Sequence, residues 1–174
     1  MKNLKRRYGL APLFVAALVI TGGAAAFAQR QLSGVAAGRP EVRVGLVGTV
    51  EREGKRLTLD QAGSVRPGEL LDWRIVSQNE GDGAARDYKA VGHIPAGTAF
   101  VAGSASAEGG STVTYSIDGG KTYSTLPLVE QKQPDGTVKR VPAPASMYTE
   151  VRYEWSDALA AGGKLSASYQ VRVK

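Results

Sequence analysis

Hydrophobic residues alternate with polar ones from residue 41 to the C-terminus, in short runs cut by glycine and proline turns. Successive side chains of a strand point to opposite faces, so alternation predicts strands with one buried and one wet face. Residues 66–81 organise the rest. Pro67-Gly68 is a turn signal before the run, and Asn79-Glu80-Gly81 is one after it. Between them Leu71, Trp73 and Ile75 alternate with Asp72 and Arg74. Trp73 is the largest apolar side chain on that face, so later strands are expected to pack on it.

The same pattern recurs along the chain. Val42, Val44, Leu46 and Val50 share a face, Glu53-Gly54 suits a hairpin turn, and residues 55–59 return. Residues 85–94 are less regular, Pro95-Ala96-Gly97 turns the chain, and residues 98–101 form a short strand. Residues 104–111 read as loop or weak edge strand. Val113, Tyr115 and Ile117 point inward from the next strand, Asp118-Gly119-Gly120 turns, and residues 121–126 return. An excursion at 127–146 holds four prolines and a Pro134-Asp135-Gly136 turn, which predicts a small exposed hairpin. Val151, Tyr153 and Trp155, then Leu165, Ala167, Tyr169, Val171 and Val173, mark the last two strands. Many short strands between glycine and proline turns, with no amphipathic helix, predict an all-β antiparallel sandwich over residues 41–174.

Residues 1–28 read as a secretory signal peptide. Lys2, Lys5, Arg6 and Arg7 precede an apolar run at 10–20, and Ala26-Phe27-Ala28 is an A-x-A cleavage site. An uncleaved N-terminal anchor is the alternative, because the apolar stretch approaches spanning length. Residues 29–40, rich in alanine, glycine and serine, read as a flexible leader. Those four basic residues carry four of the six net positive charges, so the body is close to neutral and no nucleic-acid footprint is expected. The chain has no cysteine, which excludes disulfides, thiolate metal sites and a thiol nucleophile. His93 is the single histidine, so one chain cannot build a multi-histidine metal site.

A longer pattern runs through these elements. Pro67-Gly68, Trp73 and Asn79-Glu80-Gly81 are followed by Ile94-Pro95-Ala96-Gly97-Thr98, Phe100-Val101-Ala102-Gly103-Ser104, Trp155 and the alternating strand at 165–173. This order resembles the bacterial conserved-repeat envelope domain, the "domain of unknown function eleven" family, from about Val65 to Lys174. The resemblance implies an immunoglobulin-like sandwich of exported, surface and cell-envelope proteins, often in tandem, with no catalytic residues. The chain departs from it in two ways: Gly92 stands where the family usually has an acid, and there is one copy. Residues 116–123 also fit the Asp-box pattern S-x-D-x-G-x-T-aromatic, which resembles a structural hairpin of sialidase-like propellers. Those folds need several copies, so a turn built by Asp118 with its glycines, and an aromatic packed under it, is the expectation.

Candidate chemistry is sparse. His93 with Ser77, Ser104 or Ser106 and Asp87 makes a triad on paper, but no nucleophile-elbow motif supports it. Asn79, Glu80 and Asp82 offer oxygens for calcium, without EF-hand spacing. A tyrosine platform for sugars lacks members, because alternation assigns Tyr115, Tyr153 and Tyr169 to the core. The excursion remains. Lys132, Asp135, Lys139 and Arg140 are its candidate contacts with an envelope protein or polymer. The expected function is a structural or interaction module of the cell envelope, exported and not an enzyme, without cofactor, metal or nucleic-acid partner. The alternative is a small extracellular module binding calcium or glycan through strand-end loops.

Overall fold

The computed structural model describes residues 38–174. The expected signal peptide and residues 29–37 of the leader lie outside the described residues. Eleven strands follow in order: β1 (Val42–Arg52), β2 (Lys55–Thr58), β3 (Leu70–Asn79), β4 (Lys89–His93), β5 (Thr98–Phe100), β6 (Ser106–Ala107), β7 (Ser111–Ser116), β8 (Leu128–Lys132), β9 (Val138–Pro142), β10 (Glu150–Trp155) and β11 (Lys164–Val173). A one-turn helix α1 (Leu59–Ala62) follows β2. Sheet one runs β2-β1-β3-β11-β5, with β6 also paired to β11; sheet two runs β4-β10-β7. All pairs are antiparallel. The two sheets face each other as an immunoglobulin-like β-sandwich.

The alternation assigns most faces correctly. Val151, Tyr153 and Trp155 of β10 are buried, as are Leu71 and Ile75 of β3 and Ala167, Tyr169 and Val171 of β11. The polar tips of four inward aromatic residues find partners, as most buried hydroxyls and indoles do. Tyr153 donates to the Ser168 carbonyl at 2.7 Å and Tyr169 to the His93 carbonyl at 2.7 Å, so each crosses to the opposite sheet. Tyr88 reaches Ser77 Oγ at 2.7 Å, and the Trp155 indole donates to the Glu108 carbonyl at 2.7 Å.

Trp73 sits differently from the expectation. It is only half-buried, at the margin of the core, and tyrosines hold the centre. Sheet two has three strands, and of the inner face of β1 only Val50 joins the buried core, while Val44 and Leu46 stay exposed. Trp73 therefore leans over Gly48, its register partner on β1, toward Leu59. A side chain at Gly48 would strike both. Three other boundaries also differ. Strand β2 stops at Thr58, whose hydroxyl caps α1 while Gln61 bonds back to the Thr58 N–H. Strand β7 ends at Ser116, so Ile117 is not among the residues packed on the core. Gly38 to Pro40 are fastened rather than loose: Arg39 N–H donates to Asp82 Oδ1 at 2.6 Å, and Gly83 N–H to the Arg39 carbonyl at 3.3 Å.

Two polar knots lock the ends of sheet one. Arg52 makes a bidentate pair with Glu69 at 2.8 and 2.9 Å and also donates to the Ala62 and Ser64 carbonyls, tying β1 to α1 and the approach to β3. At the other end Asn79 is fully buried. Its carboxamide oxygen accepts from Glu41 and Gly81, and its NH2 donates to the Gly83, Leu159 and Ala160 carbonyls.

Candidate functional site

The excursion folds as expected into a hairpin. Among the described residues β8 and β9 pair only with each other, in register Leu128↔Pro142 through Lys132↔Val138. The base is closed by Ala143 N–H to the Pro127 carbonyl at 2.8 Å, and Ala143 is buried. Beyond it the chain returns through a short 3-10 turn at Ala145–Met147, and Tyr148 then stacks on Phe100 and Tyr115 with ring centroids 5.6 and 4.7 Å apart. The hairpin is thus an arm with a fixed root. Leu128 and Val138 are 48% and 62% exposed.

The four expected contact residues divide. Lys132 and Arg140 share one face of the arm with Leu128 and Val138, and Lys139 lies on the other. Arg140 is 3.9 Å from Glu130 across the strands. Asp135 belongs to the tip itself. Its Oδ1 accepts the Thr137 N–H at 2.9 Å and the Thr137 hydroxyl at 2.6 Å, bonds that hold its pKa below the usual carboxylate value. It shapes the turn.

A second cluster lies on the outer face of sheet two. His93, Glu150 and Ser116 are cross-strand neighbours there. The Asp-box turn beside them is built as expected: Asp118 accepts from the Thr122 N–H and hydroxyl and from the Ser116 hydroxyl, which holds its carboxyl far below the usual range. Tyr123 then folds back over Arg152, whose guanidinium lies 3.8 Å from the ring centroid. Its hydroxyl donates to Glu150 Oε2, and His93 Nδ1 lies 3.0 Å from Glu150 Oε1. Burial and the Glu150 carboxylate push the Tyr123 pKa up to about 12, so the phenol keeps its proton and remains the donor.

Glu150 is nine-tenths buried and was not singled out from the sequence. Its strand position alone places it on the wet face. The turn at Gly120 and the return of Tyr123 cover it, and the aromatic that ends the Asp-box is the available signal. The cluster has no nucleophile at hand. Ser116 Oγ is tied to Asp118 and to the Gly120 N–H. Ser77 is buried under Tyr88, Ser104 bonds the Val101 carbonyl and the Gln170 N–H, and Ser106 pairs with Ser168. The triad on paper is therefore not assembled.

The calcium oxygens are also dispersed. Asn79 points inward, Glu80 pairs with Arg43 at 3.1 Å, and Asp82 holds Arg39. Among the described residues no group of three His, Cys, Asp or Glu side chains suits a metal ion. A groove of about 650 Å³ lies on the outer face of sheet one, lined by Thr49, Asp72, Arg74, Ser106, Ser166 and Ser168 among others. No protein-family model, curated protein or solved structure matches the chain.

Proposed function

We propose that the chain is an exported, non-enzymatic interaction module of the bacterial cell envelope, and that the β8–β9 arm is its contact. The arm carries this reading: it stands on a fixed root, pairs with no other strand among the described residues, and exposes Leu128 and Val138 beside Lys132 and Arg140. Apolar side chains with cations beside them suit a protein or polymer surface of mixed character. Support for export comes from the basic start, the apolar run and the A-x-A end of residues 1–28. The resemblance to the conserved-repeat envelope domain points to the same compartment.

The test replaces residues 128–141 with a short Gly-Ser link, keeping Pro127 and Ala143. Co-sedimentation with purified envelope fragments should fall for the trimmed protein, with its melting curve close to the parent's. Equal sedimentation of both would discard the arm as the contact. The alternative, a small ligand-binding module, finds its best place in the groove on sheet one, where hydroxyls and paired charges would suit a polyhydroxylated ligand. Loss of envelope association on Arg74→Ala, with the arm intact, would favour it.

A further inference from the structure

Strand β1 presents an open edge. Its pairing with β2 covers only Thr49 to Arg52, whereas its pairing with β3 runs from Val42 to Val50. The Glu80 N–H donates to the Glu41 carbonyl, which fixes the phase of the β1–β3 ladder: the backbone groups of residues 41, 43, 45 and 47 point to β3. Those of Val42, Val44 and Leu46 point away and meet no strand among the described residues. Val44 and Leu46 are each 54% exposed, on the face toward the core that sheet two leaves uncovered at β1. The other ends of the sheets are guarded. Sheet one closes on the short β2 and β5; of the two outer strands of sheet two, β7 is bridged at Tyr115 by Ser124, and β4 is five residues long with Lys89 and His93 exposed on its outer face. A long apolar edge without a charge on its inner face is the feature that sheet proteins ordinarily avoid.

The geometry points to a second copy of this chain as the occupant, paired antiparallel along β1 about a twofold axis through Gly45. The edge is complementary to itself in that register. Val44 of one copy lies opposite Leu46 of the other as a hydrogen-bonded pair, twice over, because both residues direct their N–H and C=O outward. Gly45 faces Gly45 in a non-hydrogen-bonded pair. Arg43 faces Val47 rather than another arginine, and Glu80 already balances its charge at 3.1 Å, so like charges do not oppose. The four side chains Val44 and Leu46 would join into one strip over the open margin beside Trp73. An edge of seven residues is a small interface, so the dimer should be weak and dependent on concentration. The arm lies on other strands, so this contact is independent of the envelope contact proposed above.

The absence of cysteine makes the test clean. A Cβ at Gly45 meets only the Val76 carbonyl, at 3.9 Å, so Gly45→Cys leaves the fold intact. Across a non-hydrogen-bonded pair the Cα atoms are about 4.5 Å apart, within disulfide reach. Protein purified from cells expressing the full chain should sediment as a monomer–dimer mixture that shifts to dimer with concentration. The Gly45→Cys form should cross-link under mild oxidation and separate again with thiol. Adding Leu46→Lys should abolish both effects, and its melting curve should stay near the parent's because Leu46 is exposed. Cross-linking undiminished by Leu46→Lys would be random collision and would overturn the proposal. So would a monomer at every concentration. Monomers with the Val44 and Leu46 amides protected from hydrogen exchange would instead assign the edge to a segment of the same chain.

Discussion

Gly92 is where one residue decides the packing of the core. It lies on the inner face of β4, and a Cβ there would run into the ring of Tyr169. That ring is buried and its hydroxyl is held by the His93 carbonyl, one residue from Gly92, so it has nowhere to retreat. Gly92→Ala should therefore cost about 1–3 kcal/mol by overpacking. Urea unfolding should show a lower midpoint for Gly92→Ala. In a Tyr169→Leu background the same change should cost little, because the ring is gone. Additive losses would show that Gly92 answers to something other than Tyr169. From the sequence Gly92 was legible only as a departure from a resembled pattern. The sequence likewise ranks Trp73 first by size. It cannot reveal that the inner face of β1 is open at Val44 and Leu46 and leaves that indole at the margin, with its Nε1 buried and unpartnered.

At the scale of elements, the junction of β1, α1 and β3 rests on Arg52 and Glu69. Arg52's side-chain bonds and the Arg66 N–H, at 2.7 Å, hold the Glu69 pKa down to about 2 from 4.5. The unfolded chain takes up that proton near 4.5 and the folded chain only near 2. Between those values the unfolded state binds more protons, so stability is full above 4.5 and is lost as pH falls through 2. Melting temperatures measured from pH 6 down to about pH 2 should follow that course. Glu69→Gln should melt lower at neutral pH and show a shallower slope across the acid window. Some slope should persist, since Asp118 is also held below its ordinary value, by Thr122 and Ser116. A slope unchanged by Glu69→Gln would place the acid sensitivity elsewhere. The hairpin of this junction was legible, because Glu53 and Gly54 take positive φ as a two-residue turn requires. The helix was present as Thr58-x-x-Gln61, but Leu57, Thr58 and Leu59 also read as strand. The Arg52–Glu69 pair spans seventeen residues and leaves no local pattern.

At the largest scale, the described residues form a sandwich with its latest strands at its centre. β11 lies between β3 and β5, and β10 lies between β4 and β7. The arm is inserted between β7 and β10, so the chain leaves the sandwich and returns to complete both sheets. Turn chemistry and length made the arm visible in the sequence, whereas its isolation from both sheets depends on pairings that no local pattern states. A two-stranded ribbon with no further partner opens more readily than packed sheets do. Limited trypsin digestion should therefore cut first after Lys132, Lys139 or Arg140, ahead of Lys89, Arg152 and Lys164, which lie in the strands of the sandwich. The nicked protein should still elute as one species on a native column, yet give two fragments on a denaturing gel. Strands β10 and β11 hold the C-terminal fragment in place on either side of the core, and the Pro127–Ala143 hydrogen bond keeps the root closed. First cuts at Lys55 or Arg56 would show that the β1–β2 hairpin is the weaker ribbon. Fragments that separate on nicking would show that the arm's continuity, and not strand order, holds the two halves together.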